Sequence, residues 1–224
     1  MKNDMRDILY GLNTKAILKQ KVFRNTLAHF QNFKEKAKEI AEELAPEVLK
    51  KDKNVEIEFA DHSDFEFSLK FSGDTLVFQM HTNVFSFDDK HAVNQLDYVK
   101  ENQDRGYFGM IHIYNFLSDS LKYNRSNDLG FIIGRLFVNI ENHFYVEGVR
   151  QLNFLFKNLT KDVLDPINIE KVIEQSMLYS LDFDLQVPPI QQVEHMTVAQ
   201  KNHFNAAQGS PTTKRLGFHL NHDD

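Results

Sequence analysis

Residues 128–156 read DLGFIIGRLFVNIENHFYVEGVRQLNFLF, and the way this stretch pairs with itself decides the architecture. Two runs of β-branched and aromatic residues flank a polar centre, the pattern of a β-hairpin. A two-residue turn at Glu141 and Asn142 sets Ile140 against His143, Asn139 against Phe144, Arg135 against Gly148 and Ile133 against Arg150. One face then holds Phe131, Ile133, Arg135, Phe137, Phe144, Val146, Gly148 and Arg150. The other holds Ile132, Gly134, Leu136, Val138, His143, Tyr145 and Glu147. Both faces are so apolar that the hairpin is expected centrally in a sheet, covered on each side by helices or a partner chain. A competing reading makes residues 149–160 a helix with Val149, Leu152, Phe156 and Leu159 on one face, which removes Arg150 from the sheet.

Working outward, the apolar positions Phe23, Leu27, Phe30, Ala37, Ile40, Leu44 and Val48 recur mostly every three or four residues, predicting a helix over 15–51. Asn13 and Thr14 offer N-caps, and Pro46 is expected to kink or restart the helix. From Val55 the period changes to two. The runs VEIEFA, DFEFSLKF and TLVFQMHTNVFSF, separated by HS and SGD, predict three antiparallel strands. Residues 88–105 suggest a short helix or ordered loop, YFGMIHIYNFL a strand, and KYNRSND a turn. A closing helix over 166–181 has Asp165 as N-cap and Pro166 at its first position.

These elements predict an α+β fold: a single curved, mainly antiparallel sheet of about six strands, with a long first helix and a late helix packed on it. Residues 1–187 are expected to form one domain, with the sheet spanning 55–156, and residues 188–224 an extended, largely mobile tail. Within that tail KRLGFHL alternates, so it could add to a sheet edge. The order of elements resembles that of the type III secretion chaperone family, in which a helix, three strands, a helix, two strands and a helix form a dimer that binds an extended polypeptide. This chain has an additional strand, a longer first helix and a tail, and shares no motif, so the resemblance implies a dimer that binds polypeptide and assigns no residue.

The chain has 224 residues, no cysteine and a formal net charge of −6. Disulfides, thiolate metal sites and cysteine nucleophiles are thereby excluded. Residues 1–38 hold nine Lys and Arg against three Asp and Glu, leaving the remainder at −12. Nucleic acid is not expected as a partner of so acidic a chain. No secretory leader or apolar membrane span is evident, and a cytoplasmic location is expected. The ten histidines lack the H-E-x-x-H spacing, and no glycine-rich phosphate loop or hydrolase elbow occurs, so neither metal, cofactor nor catalytic residue is assigned. Two hypotheses remain. The first is a non-enzymatic interaction or adaptor/chaperone-like module, acting as a homodimer with a protein or peptide partner. The alternative is a small anionic-ligand-binding domain or enzyme, with Arg135 and Arg150 clamping the anion over the space left by Gly148. Against this second reading, the same arginines could hold the structural acids Glu141 or Glu147.

Overall fold

The computed structural model describes residues 3–185, 187, 189–192, 194–199 and 201. It opens with α1 (Asn3–Gly11), which passes through a π-helical segment, Leu12–Ala16, into α2 (Ile17–Leu49). At 1.5 Å per residue this continuous rod is about 70 Å long. Asn13 and Thr14 therefore do not cap a helix start. They lie inside the π segment, where the Ile17 amide donates to the Leu12 carbonyl and the Thr14 hydroxyl to the Tyr10 carbonyl at 2.8 Å. Nor does the helix restart at Pro46, which sits within α2 three residues before its end. There the missing amide strands only the Glu42 carbonyl, on an exposed turn that water can satisfy.

Six strands form an antiparallel meander whose spatial order follows the chain: β1 (Ile57–Ser63), β2 (Glu66–Phe71), β3 (Asp74–Met80), β5 (Tyr107–Leu117), β6 (Phe131–Val138) and β7 (Phe144–Gly148). A two-residue β4 (Phe85–Ser86) pairs separately with β5. Between β4 and β5 lie two short helices, α3 (Ala92–Gln95) and α4 (Asp97–Glu101), and a 3-10 turn, so the ambiguous stretch 88–105 is helical in part. The β2–β3 turn places Ser72 at φ 59°, in the left-handed region, followed by Gly73. Helices α5 (Ser118–Lys122), α6 (Arg150–Leu155) and α7 (Pro166–Leu181) complete the fold, the last capped as expected by Asp165, which accepts from the Asn168 amide.

One face of the sheet carries Phe67, Leu69, Leu76, Phe78, Ile111, Ile113, Leu136, Val138, Phe144 and Val146 against Phe30, Phe33 and Ala37 of α2 and Ile169, Val172, Ile173 and Met177 of α7. Phe67 and Phe78, paired across strands, stack at 4.6 Å. Gly109 lets α2 reach β5, because a Cβ there would lie 2.0 Å from the Thr26 hydroxyl. On the other face, Phe108, Met110, Phe137 and Tyr145 are covered by Val93, Val99 and Phe87, but only over half its extent. Gln79, Ile132 and Arg135 stay exposed on the rest.

The hairpin that opened the sequence analysis differs from its expected form in two respects. Its register is shifted by one residue: Val138 faces Phe144, Arg135 faces Glu147 and Gly134 faces Gly148. The Asn139 side-chain oxygen accepts from the amides of both Glu141 and His143, the Asn139 amide donates to the His143 carbonyl at 2.9 Å, and Asn142 takes φ 66°. That loop is longer than a two-residue turn, and with a side-chain period of two, one residue of slip moves β7 to the opposite face. The hairpin is also not central. β7 is the last strand, and its outer edge is sealed by residues 156–162, with the Val146 amide donating to the Phe156 carbonyl and the Phe144 amide to the Asp162 carbonyl. The helical reading of the stretch after Val149 holds for α6. The segment KRLGFHL lies outside the described residues, as does most of the expected tail.

Candidate functional site

The register separates the two arginines. Arg135 stands in a row that crosses five strands, Glu66–Gln79–His112–Arg135–Glu147, on the partly uncovered face. Its guanidinium pairs with Glu147 and lies 5.6 Å from the centre of the Phe137 ring. Arg150 has left the sheet, at φ 44° where β7 turns into α6, and reaches the opposite side, with its guanidinium 5.5 Å from the Tyr179 ring of α7. Gly148 opens no space beside either, because a Cβ there would lie 2.9 Å from both the Ile133 carbonyl oxygen and Leu152 Cβ. Its bare backbone serves the packing of α6 against β6.

At the hairpin tip the sequence pair Asn142–His143 joins a dense polar network. Glu141 accepts from the Tyr98 hydroxyl at 2.9 Å and Arg105 Nε at 3.0 Å, and Asn139 donates to the Tyr98 hydroxyl at 3.1 Å. The Arg105 guanidinium and the His143 ring both lie against the Tyr98 ring, at 4.3 and 4.9 Å. His29 of α2 meets Asn142 Oδ1 at 2.7 Å. Burial pushes the Tyr98 phenol up to about 12, further helped by Glu141. Burial also works against the Glu141 carboxylate, but the bonds from Arg105 and Tyr98 outweigh it and hold its pKa below the usual value. A phenol that stays protonated and a carboxylate that stays charged are poor proton shuttles near neutrality. The network instead ties the loop to α4 and α2.

Two of the clefts formed by the described residues gather titratable side chains. One, of about 350 Å³, is lined by Glu66, Gln79, His81 and His112, yet no grouping of three or more metal-ligating side chains exists among the described residues. The other, of about 430 Å³, gathers Lys70, Lys122 and Arg125 with Ser118, Glu56 and Asp119. Lys70 is paired with Glu56 at 2.5 Å, while Arg125 is nearly buried, stands 4.0 Å from Asp128, and leaves its Nε without a partner. The segment KYNRSND reads only as a turn, so nothing in its pattern marks Arg125.

A line of exposed apolar side chains lies on the rod before it reaches the sheet. Met5, Ile8, Leu9, Leu12 and Ile17 are each 45–57% exposed. The first four recur at spacings of three and four, and the five-residue step to Ile17 is spanned by the π turn, whose Ile17–Leu12 bond keeps both side chains on one stripe. In an uninterrupted α-helix five residues would rotate Ile17 about 140° off that stripe. The spacing was present in the sequence, but Asn13 and Thr14 read as N-caps and hid it. Comparison with protein-family models, with curated proteins and with solved structures finds no match for this chain.

Proposed function

We propose that the protein is a non-enzymatic interaction module whose binding element is the stripe Met5–Ile8–Leu9–Leu12–Ile17. The observation that carries this reading is the exposure of five large apolar side chains along one line of a helix that is continuous with the core-packed α2. Isolated, a helix this short is marginal in water. Built onto α2 it is held ready, which lowers the ordering cost of binding. The chemistry fits a polypeptide with its own apolar stripe, either a second copy or a peptide partner, as an adaptor- or chaperone-like protein requires. Among the described residues no helix is long and apolar enough to cross a membrane. A chain without cysteine suits the cytoplasm, where we place it. The test is a Leu9→Glu, Leu12→Glu double variant. Its melting temperature should equal that of wild type diluted until no partner or second copy is bound, while cross-links formed from a photoreactive residue at Ile8 should disappear. A fall in melting temperature as large as that of a core substitution would instead assign the stripe to the fold.

A second reading, a domain binding a small anion, is favoured by the partnerless Nε of Arg125 beside Lys70 and Lys122 rather than by Arg135 and Arg150. Phosphate at a hundredfold excess over Kd would stabilise the native state by about 2.7 kcal/mol. Lys122→Gln should remove most of that shift and Arg150→Gln none of it; a wild type that phosphate does not stabilise defeats this reading.

A further inference from the structure

The sheet has two edges, and they are finished differently. β7 is sealed by residues 156–162, whereas no backbone group among the described residues bonds to the outer side of β1. The Glu56 carbonyl accepts from the Ser72 amide at 2.8 Å, and with the β1–β2 register this makes Glu58 and Ala60 the residues that bond to β2. The amides and carbonyls of Ile57, Phe59 and Asp61 alternate with them and point outward, with no partner among the described residues. Their side chains lie on the α2 side: the Phe59 ring is 5.7 Å from that of Phe67, and Asp61 is paired with Lys34 of α2. Ile57 and Phe59 are only partly buried against the core. Residues 55–64 carry Glu56, Glu58, Asp61 and Asp64 and no Lys or Arg, and Glu58 and Asp64 are exposed. Charge on an edge strand repels other strands. Here it is of one sign, so the β1 of a second copy is repelled and a basic strand is attracted.

Beyond α7 the chain returns to this edge, for Leu185 lines the same cleft as Asn54, Glu56 and Ser72, at the start of β1. In the sequence that follows, KRLGFHL combines the alternating Leu216, Phe218 and Leu220 with the basic Lys214 and Arg215. About 30 residues separate Leu185 from Leu216, enough to span ~100 Å against the ~23 Å of β1. Attachment to the same chain raises the concentration of the segment at the edge. We propose that residues 214–220 add as a strand to the outer edge of β1, bonding to the backbone of Ile57, Phe59 and Asp61, with Leu216, Phe218 and Leu220 extending the apolar face beside Ile57 and Phe59. This contact is independent of the stripe on α1. Its test is amide hydrogen exchange in the full-length wild type and in the full-length Leu216→Glu, Phe218→Glu variant. The amides of Ile57, Phe59 and Asp61 should exchange slowly in the wild type and fast in the variant, while those of Glu58 and Ala60, bonded to β2, stay slow in both and show that the sheet is intact. Fast exchange at the three amides in both proteins would mean an open edge and overturn the proposal. Slow exchange in both overturns it as well, since something other than this segment then covers the edge. Protection that the wild type loses on dilution would assign the edge to the same segment of a second copy and overturn the pairing within one chain.

Discussion

His112 lies between Gln79 and Arg135 in the cross-sheet row, and its surroundings disfavour the imidazolium. Burial lowers its pKa from 6.5, and the positive charge of Arg135 and the neighbouring His81 lower it further. The unfolded chain therefore takes up a proton at a higher pH than the folded one. Stability from this group is complete above 6.5 and is lost as the pH falls from there through the depressed folded value. We expect the denaturation midpoint of the wild type to fall in that window and that of His112→Gln to fall less. In Arg135→Gln the His112 proton resonances should titrate at a higher pH than in the wild type, though still below the free value, because burial remains. A wild-type His112 that titrates at 6.5 or above would contradict this account. The Arg135–Glu147 pair itself was legible in the sequence only as one of several options, since which acid meets Arg135 depends on a register that no pairwise pattern of residues determines.

At the scale of elements, α2 and β5 approach through a glycine and a small polar side chain. The Thr26 hydroxyl turns back to the Val22 carbonyl at 2.9 Å, so it needs no partner from the sheet, and Gly109 supplies only bare backbone opposite it. Gly109→Ala should cost about 1–3 kcal/mol through overpacking. Combining it with Thr26→Ala should give a loss smaller than the sum of the two, by equilibrium denaturation, because the Thr26 methyl and hydroxyl that the new Cβ meets are then gone. Additive losses would show that helix and strand do not press on each other here. The elements α2, β2, β3, β5, β6 and α7 were readable from helical spacing of apolar residues or from runs of β-branched and aromatic residues. The hairpin loop was misread because the Asn139 side chain takes the place of backbone partners, a choice that depends on one rotamer and leaves no periodic trace. The start of the rod was misread for a similar reason: Asn13 and Thr14 are local signals for a helix boundary, and the π turn absorbs them into a continuous helix.

For the whole molecule, the α+β class, the single antiparallel sheet and its two covering helices follow from the alternation of periods along the chain, and the structure has this architecture. The candidate site was not legible to the same degree. Arg135 and Arg150 were grouped by a register that the loop defeats, while all of the apolar stripe except Ile17 lay upstream of the expected helix start. The sheet's spatial order has a further consequence for how the molecule comes into being. Each principal strand after β1 pairs with the one before it, so on a ribosome every new strand finds its neighbour already made, and no crossover has to wait for a distant segment. Helix α2 has the opposite experience. It is made before any strand, yet Phe30 and Phe33 are covered only when β2, β3 and β5 have followed, so both rings stay without their sheet partners until synthesis has passed Leu117.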